Sequence, residues 1–150
     1  MRKKPSSRYE RALRLAQTEN GSSTKIYDLL IAADREGDPR ATYALATWYL
    51  HGKFVRKNIK LANKFLERAA LQGIPDAAYN FAISLEKGKG VKKSARRAFE
   101  FYMRAAASGE PQSTYELGRM YYYGIGTAKN SRLANIWLGR AETLGVCRGK

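Results

Sequence analysis

Gly37-Asp38-Pro39-Arg40-Ala41-Thr42-Tyr43, Gly73-Ile74-Pro75-Asp76-Ala77-Ala78-Tyr79 and Gly109-Glu110-Pro111-Gln112-Ser113-Thr114-Tyr115 are one phrase written three times. The offset between copies is constant, 73 − 37 = 36 and 109 − 73 = 36. Self-similarity at a fixed period of this size marks a tandem repeat of supersecondary units. Further along, the same shift aligns Gly52, Gly88 and Gly124, then Lys57, Lys93 and Lys129, then Ala62, Ala98 and Ala134. Arg68-Ala69, Arg104-Ala105 and Arg140-Ala141 follow in register, and Gly145 closes the last unit. Two further columns agree in kind: Leu45, Phe81, Leu117 and Leu66, Tyr102, Leu138.

Each unit reads as two helices. Pro39, Pro75 and Pro111 open the first, where proline's missing N–H has no intrahelical partner to lose. Ala41, Leu45, Trp48 and Tyr49 then recur at one-sided helical spacing. Gly52, Gly88 and Gly124 end that helix at a left-handed cap position. Asn58, Ser94 and Asn130 are placed to cap the second helix, whose apolar face carries Ala62, Phe65, Leu66 and Ala69 in the first unit and Ala98, Phe101, Tyr102 and Ala105 in the second. Small residues (Ala46, Ala82, Gly118; Ala62, Ala98, Ala134) let helices approach, and Tyr49, Phe65, Leu85, Phe101, Tyr121 and Trp137 fill the space beside them.

Upstream, residues 26–33 align with 62–69 and read as the second helix of an incomplete leading unit. Residues 7–17 read as its partner helix, with Tyr9, Ala12, Leu13 and Ala16 as the apolar stripe, and residues 18–23 as the loop between them. The expected organisation is a basic N-terminal segment, 1–25, with a helix and a disordered start at 1–6. The repeat array follows over 26–145 (half unit 26–36, full units 37–72, 73–108 and 109–145), then a tail, 146–150. The fold class is all-α: a right-handed alpha-alpha superhelix, or solenoid, of helix–turn–helix repeats. A unit of this size cannot bury its apolar face alone, so the units must stack.

The 150 residues suffice for one domain, and a 44% hydrophobic content is that of a folded chain. No apolar run approaches the roughly 20 residues of a membrane span, and the basic start leads into no signal-like apolar core. The expected compartment is the cytoplasm, with which the single cysteine, Cys147, is consistent. The anomaly is charge. Twenty-eight Lys and Arg against thirteen Asp and Glu leave a net +15, a field that favours anionic partners.

The third unit's Tyr115-Glu116-Leu117-Gly118-Arg119-Met120-Tyr121-Tyr122-Tyr123-Gly124-Ile125-Gly126 resembles the Sel-one-like repeat family, relatives of the tetratricopeptide repeats. So do the second unit's Gly88-Lys89-Gly90-Val91 and Ala98-Phe99-Glu100-Phe101-Tyr102-Met103-Arg104-Ala105-Ala106-Ala107-Ser108-Gly109. The resemblance covers about residues 26–145. It implies right-handed stacks that serve as adaptors and scaffolds, with first helices lining a concave face. Phe54 departs from the pattern, standing where the family has the second glycine of the loop. A phenylalanine resists positive φ, so either the loop is reshaped with Phe54 tucked onto the stack, the plainer expectation, or Phe54 is an exposed contact.

No catalytic constellation emerges, and the chain is not expected to be an enzyme. Gly88-Lys89-Gly90 and Gly124-Ile125-Gly126 lack the strand and the spacing of a phosphate loop. Asp34, Glu36 and Asp38 are too few for an oxygen-ligand cation site and read as a solvated junction between units, with Asp38 and Glu110 favoured by the helix dipole. His51 has no titratable partner at motif spacing, and Cys147 has only Arg148 beside it. No cofactor and no metal are expected.

Tetratricopeptide-like geometry puts Thr47, Leu50, His51, Ile83, Glu86, Lys87, Arg119, Tyr122 and Tyr123 on the concave face. Tyr122 and Tyr123 are surplus to the core and, with Arg119, form a candidate hot spot. A second candidate surface is a basic edge of Lys57, Lys60, Lys92, Lys93, Arg96, Arg97, Lys129 and Arg132, to which Arg2, Lys3 and Lys4 add. A third is the C-terminal end, where Ile136, Trp137 and Leu138 are expected to pack on a second copy or on the partner. The leading expectation is a protein-interaction module binding an acidic protein partner in its groove, an adaptor or a neutraliser of a cognate effector or toxin. The rival is a nucleic-acid-associated protein gripping phosphates along the basic edge. No membrane insertion is expected.

Overall fold

The glycine and proline columns mark the joints of the fold. The computed structural model describes residues 6–18 and 21–146, and among them are eight helices and no strand. They are α1 (Arg8–Ala16), α2 (Ser23–Arg35), α3 (Pro39–His51), α4 (Ile59–Leu71), α5 (Pro75–Lys87), α6 (Ala95–Ala107), α7 (Pro111–Tyr123) and α8 (Ser131–Thr143). The helices fall into two compact units, divided between Ala69 and Ala70.

In the first unit Ser7 starts α1 through a capping box: its hydroxyl accepts from Glu10 N–H at 3.1 Å, and Glu10 accepts from Ser7 N–H at 2.9 Å. The buried face of α1 is Ala12, with Tyr9 and Leu15 packed beside it. Leu13 and Ala16, expected on that stripe, are exposed. Tyr9, Ala12 and Leu15 lie three apart on the line where α2 packs, which turns Leu13 to solvent. Ile26, Leu30 and Ala33 of α2 and Ala41 and Leu45 of α3 continue the core.

Of the acidic cluster, Glu36 is exposed as a solvated junction requires, but Asp34 and Asp38 are largely covered. Asp34 accepts from the Thr42 hydroxyl at 2.5 Å and from Arg68 Nη2 at 3.0 Å, tying α2 to α3 and α4. Asp38 caps α3, accepting from Arg40 N–H at 3.1 Å. Its carboxyl is held below the usual carboxylate range, chiefly by the Arg40 side chain, which outweighs the opposing effect of burial.

The second unit repeats the plan. Phe81, Ala82 and Leu85 of α5 meet Ala98, Phe101 and Tyr102 of α6, all buried, with the Phe81 and Phe101 rings edge to face at 4.7 Å. Leu117, Gly118 and Met120 of α7 are buried, as are Ala134 and Ala141 of α8. Glu110 caps α7, accepting from Gln112 N–H at 3.0 Å and Ser113 N–H at 2.6 Å.

All three intra-repeat loops close on the same two backbone bonds: Lys53 to Trp48 and Asn58 to Tyr49, Lys89 to Ser84 and Ser94 to Leu85, Ile125 to Met120 and Asn130 to Tyr121. Gly52, Gly88 and Gly124 cap with φ of 67°, 67° and 70°, and Asn58, Ser94 and Asn130 start the second helices as their side chains predict. The loop holding Phe54 is not reshaped. Phe54 keeps φ at 63°, beside 69° for Gly90 and 68° for Gly126. The plainer expectation for Phe54 therefore fails: the two closing bonds fix the loop's backbone path, and the ring is left 61% exposed.

Candidate functional site

On α5, Tyr79, Ile83, Glu86 and Lys87 recur at i, i+4, i+7 and i+8, so they share one face. Glu116 and Arg119, three apart on α7, stand opposite, with Tyr102 of α6 behind them and Lys93 of the intervening loop at the edge. Together these eight residues line a depression of about 500 Å³.

Its centre is an ion network. Arg119 reaches Glu86 through Nη2 and Glu116 through Nε, both at 2.5 Å, and the Tyr102 hydroxyl donates to Glu86 at 3.0 Å. Burial alone would lower the Arg119 pKa, but its two carboxylate partners outweigh burial and hold the guanidinium charged more firmly than usual. The Tyr102 hydroxyl is pushed up, first by burial and then by the charge of Glu86. Tyr79 is pushed the same way by burial, with Glu116 adding to it. The floor is thus a paired cluster, two carboxylates sharing one guanidinium, under two exposed lysines, Lys87 and Lys93. Such a surface offers charge, hydrogen bonds and aromatic area. Among the described residues no group of His, Cys, Asp and Glu gathers that could hold a metal ion.

Of the expected concave residues, Ile83, Glu86, Lys87 and Arg119 converge here. Arg119 differs from its expected role as an open partner for Tyr122 and Tyr123, because Glu86 and Glu116 already hold it. Tyr122 and Tyr123 stand outside the depression, 50% and 66% exposed, with their rings edge to face at 4.9 Å. Thr47, Leu50 and His51 belong to the first unit. The Thr47 hydroxyl donates to the Ala44 carbonyl at 2.8 Å, Leu50 is half-buried and His51 is exposed. Sequence reasoning missed Tyr79, Tyr102 and Glu116 as site residues. The i−3 and i−4 neighbours of Arg119 and Ile83 would have found two of them, whereas nothing local announces Tyr102, which arrives from a second helix.

Of the basic edge, Lys57, Lys60, Lys92, Lys93, Arg96, Lys129 and Arg132 are exposed. Arg97 is not on it. Its guanidinium lies 5.6 Å from the Phe81 ring centroid, half-buried, because position N3 of α6 faces back toward α5. The lysine column has a packing reason as well. A Cβ on Gly52, Gly88 or Gly124 would come within 3.1, 3.0 or 3.3 Å of the Cβ of Lys57, Lys93 or Lys129, so each lysine stem lies against its capping glycine. Ile136 is 55% exposed, while Trp137 and Leu138 are half-buried. Arg2, Lys3, Lys4 and Cys147, the start at 1–5 and the tail at 147–150 lie outside the described residues. No described helix is long and apolar enough to cross a membrane.

Comparison with known proteins agrees with this architecture. The Sel1 repeat model matches residues 39–74, 75–110 and 111–146. No curated protein matches the chain in sequence. Among solved structures, a protective antigen of uropathogenic Escherichia coli displaying an SLR fold is 26% identical with a TM-score of 0.84, over 93% of this chain and 30% of that one. A Sel1 repeat protein from Oxalobacter formigenes is 36% identical with a TM-score of 0.73, over 78% of this chain and 88% of its own. An immunity protein from Pseudomonas aeruginosa is 23% identical with a TM-score of 0.59, over 92% of this chain and 52% of that one, a likeness of fold alone. The chain thus spans less than a third of the length of the antigen. With helix pairs, joints and caps repeating over the three matched segments, the fold is the all-α solenoid class of tandem repeats, and the chain belongs to the Sel1 repeat family.

Proposed function

We propose that this protein is a non-catalytic interaction module that holds a protein partner with an acidic surface against the α5–α7 depression. Sel1 repeat proteins are generally protein-interaction scaffolds. The observation that carries the finer reading is the pairing of Lys87 and Lys93, exposed at the rim, with a floor whose two carboxylates, Glu86 and Glu116, are both engaged by Arg119. An acidic segment meets two open cations there without confronting an open carboxylate. Tyr122 and Tyr123, exposed at the end of α7, supply aromatic contact area of the kind that dominates binding energy. In this reading the working module is the 26–145 array, acting in the cytoplasm, and one specific form of the role is neutralisation of a cognate effector or toxin.

The test is affinity capture from the native cell with mass-spectrometric identification, followed by calorimetry with the purified partner. Lys87→Glu with Lys93→Glu is expected to weaken binding at least tenfold, and Tyr122→Ala with Tyr123→Ala comparably. Unchanged affinity in both pairs would remove the site. For the neutraliser role, growth rescue on co-expression with the captured partner is the deciding result.

A second reading, phosphate-backbone binding by the basic residues of the second unit, is favoured by the exposure of Lys92, Lys93, Arg96, Lys129 and Arg132. It requires affinity for DNA or RNA that falls steeply with salt, since each neutralised phosphate contributes about one to the log–log slope. A gel shift insensitive to salt, or absent, rules it out.

A further inference from the structure

Phe54 is the one non-glycine residue at positive φ among the described residues, at 63°. The other two repeats place glycine there, which adopts this backbone freely, whereas an L side chain resists it. The ring is not recompensed by burial, being 61% exposed. It stands against Trp48 with centroids 4.9 Å apart, and Trp48 in turn meets Tyr27 at 6.1 Å. Beside it, Tyr49, Val55, Arg56, Lys57 and Asn58 line a hollow of about 560 Å³. The flanking sequence is one-signed. From Ala41 to Leu66 there is no Asp or Glu, against Lys53, Arg56, Lys57, Lys60 and Lys64. Strain that a glycine would remove, spent on presenting an exposed ring inside a cationic loop, is the pattern of a functional rather than a structural side chain.

We infer that the loop 52–58 is a second docking site, whose occupant is an acidic protein segment carrying a large apolar side chain. The apolar side chain packs on the open edge of Phe54 and into the hollow over Tyr49 and Val55. Flanking carboxylates pair with Lys53, Arg56 and Lys57. Nucleic acid fits less well. The Lys53 ammonium lies over the Phe54 ring at 5.3 Å and Trp48 takes a further side, which leaves little free π-face for a base to stack on. This site lies in the first unit and does not rest on the reading of the α5–α7 depression.

Trp48 supplies the readout. In a Trp137→Phe background it is the sole tryptophan, so its fluorescence reports on the Phe54 surface directly. Two peptides are titrated, Asp-Glu-Asp-Leu-Phe-Glu-Asp and the same sequence with both apolar residues changed to alanine, together with a single-stranded oligothymidine. The leucine–phenylalanine peptide is expected to bind at least tenfold tighter than its alanine counterpart. Phe54→Gly should abolish that preference, while Lys57→Glu should weaken binding of both peptides, whose carboxylates are the same. Phe54→Gly should melt at or above the parent's temperature. Failure of the leucine–phenylalanine peptide to bind, a preference that survives Phe54→Gly, or a Phe54→Gly melt several degrees below the parent overturns the inference. Phe54-dependent binding of the oligothymidine tighter than the peptide does so too, by giving the site to nucleic acid.

Discussion

Gly118 and Ser113 show how far a single residue in a repeat can depart from its column. The positions equivalent to Gly118 hold Ala46 and Ala82, yet a Cβ on Gly118 would meet Leu138 Cγ at 2.6 Å and Leu138 N at 3.1 Å. Gly118→Ala gains about 1 kcal/mol of helix propensity and meets about 1–3 kcal/mol of overpacking. A net loss near 1 kcal/mol is expected, read as a lower melting temperature; a rise would show that α8 gives way freely. Ser113 departs in the opposite sense. Its hydroxyl is fully buried and has no hydrogen-bond partner, while Ala41 and Ala77 occupy its column. Leaving such a group unpaired costs about 1–3 kcal/mol. Ser113→Ala is therefore expected to stabilise by about 1 kcal/mol, with thermal or urea unfolding as the check.

Between elements, the contacts that join helices are side-chain pairs distant in sequence. The Tyr27 hydroxyl of α2 and the Tyr49 hydroxyl of α3 bond at 2.8 Å. The bond to Tyr49 and, after it, burial push Tyr27 up to about 12 from an ordinary 10.0. A group whose folded pKa is raised lends its stability fully below the unfolded value and loses it as pH rises through the folded one. The parent is thus expected to lose melting temperature between about pH 10 and 12 relative to Tyr27→Phe, which lacks the titrating hydroxyl; parallel curves for the two proteins would refute the coupling. Such pairs also explain what was legible in the sequence. Pro39, Gly52 and Asn58 could be read because a cap acts within three or four residues on a backbone whose needs are fixed. The Arg68–Asp34 and Arg119–Glu86 pairs span 34 and 33 residues, close to one period, but their acidic members stand in no repeated column. Asp34 aligns with Ala70, and Glu86 with Leu50 and Tyr122. A repeat reading averages over columns, so it finds what the copies share and is blind to what one copy does alone. Phe54 was visible as an outlier, but its conformation depended on whether two loop bonds outweigh the resistance of a side chain to positive φ, which no pattern of residue types states.

At the scale of the whole molecule, the net charge of +15 sets the terms on which any acidic partner arrives. Attraction over a Debye length raises association rates and is screened by salt. For the partner proposed above, the association rate constant is expected to fall at least tenfold between about 20 and 500 mM salt, measured by stopped-flow fluorescence; a flat profile would deny the field a role. Arg119 behaves differently from the exposed cations that create this attraction. It is already held by Glu86 through Nη2 and by Glu116 through Nε, and a guanidinium carries five N–H donors in one rigid plane. The consequence is that Arg119 acts on direction rather than on distance: two fixed carboxylates set the plane of its fork, and a partner reads that orientation instead of being drawn by its charge.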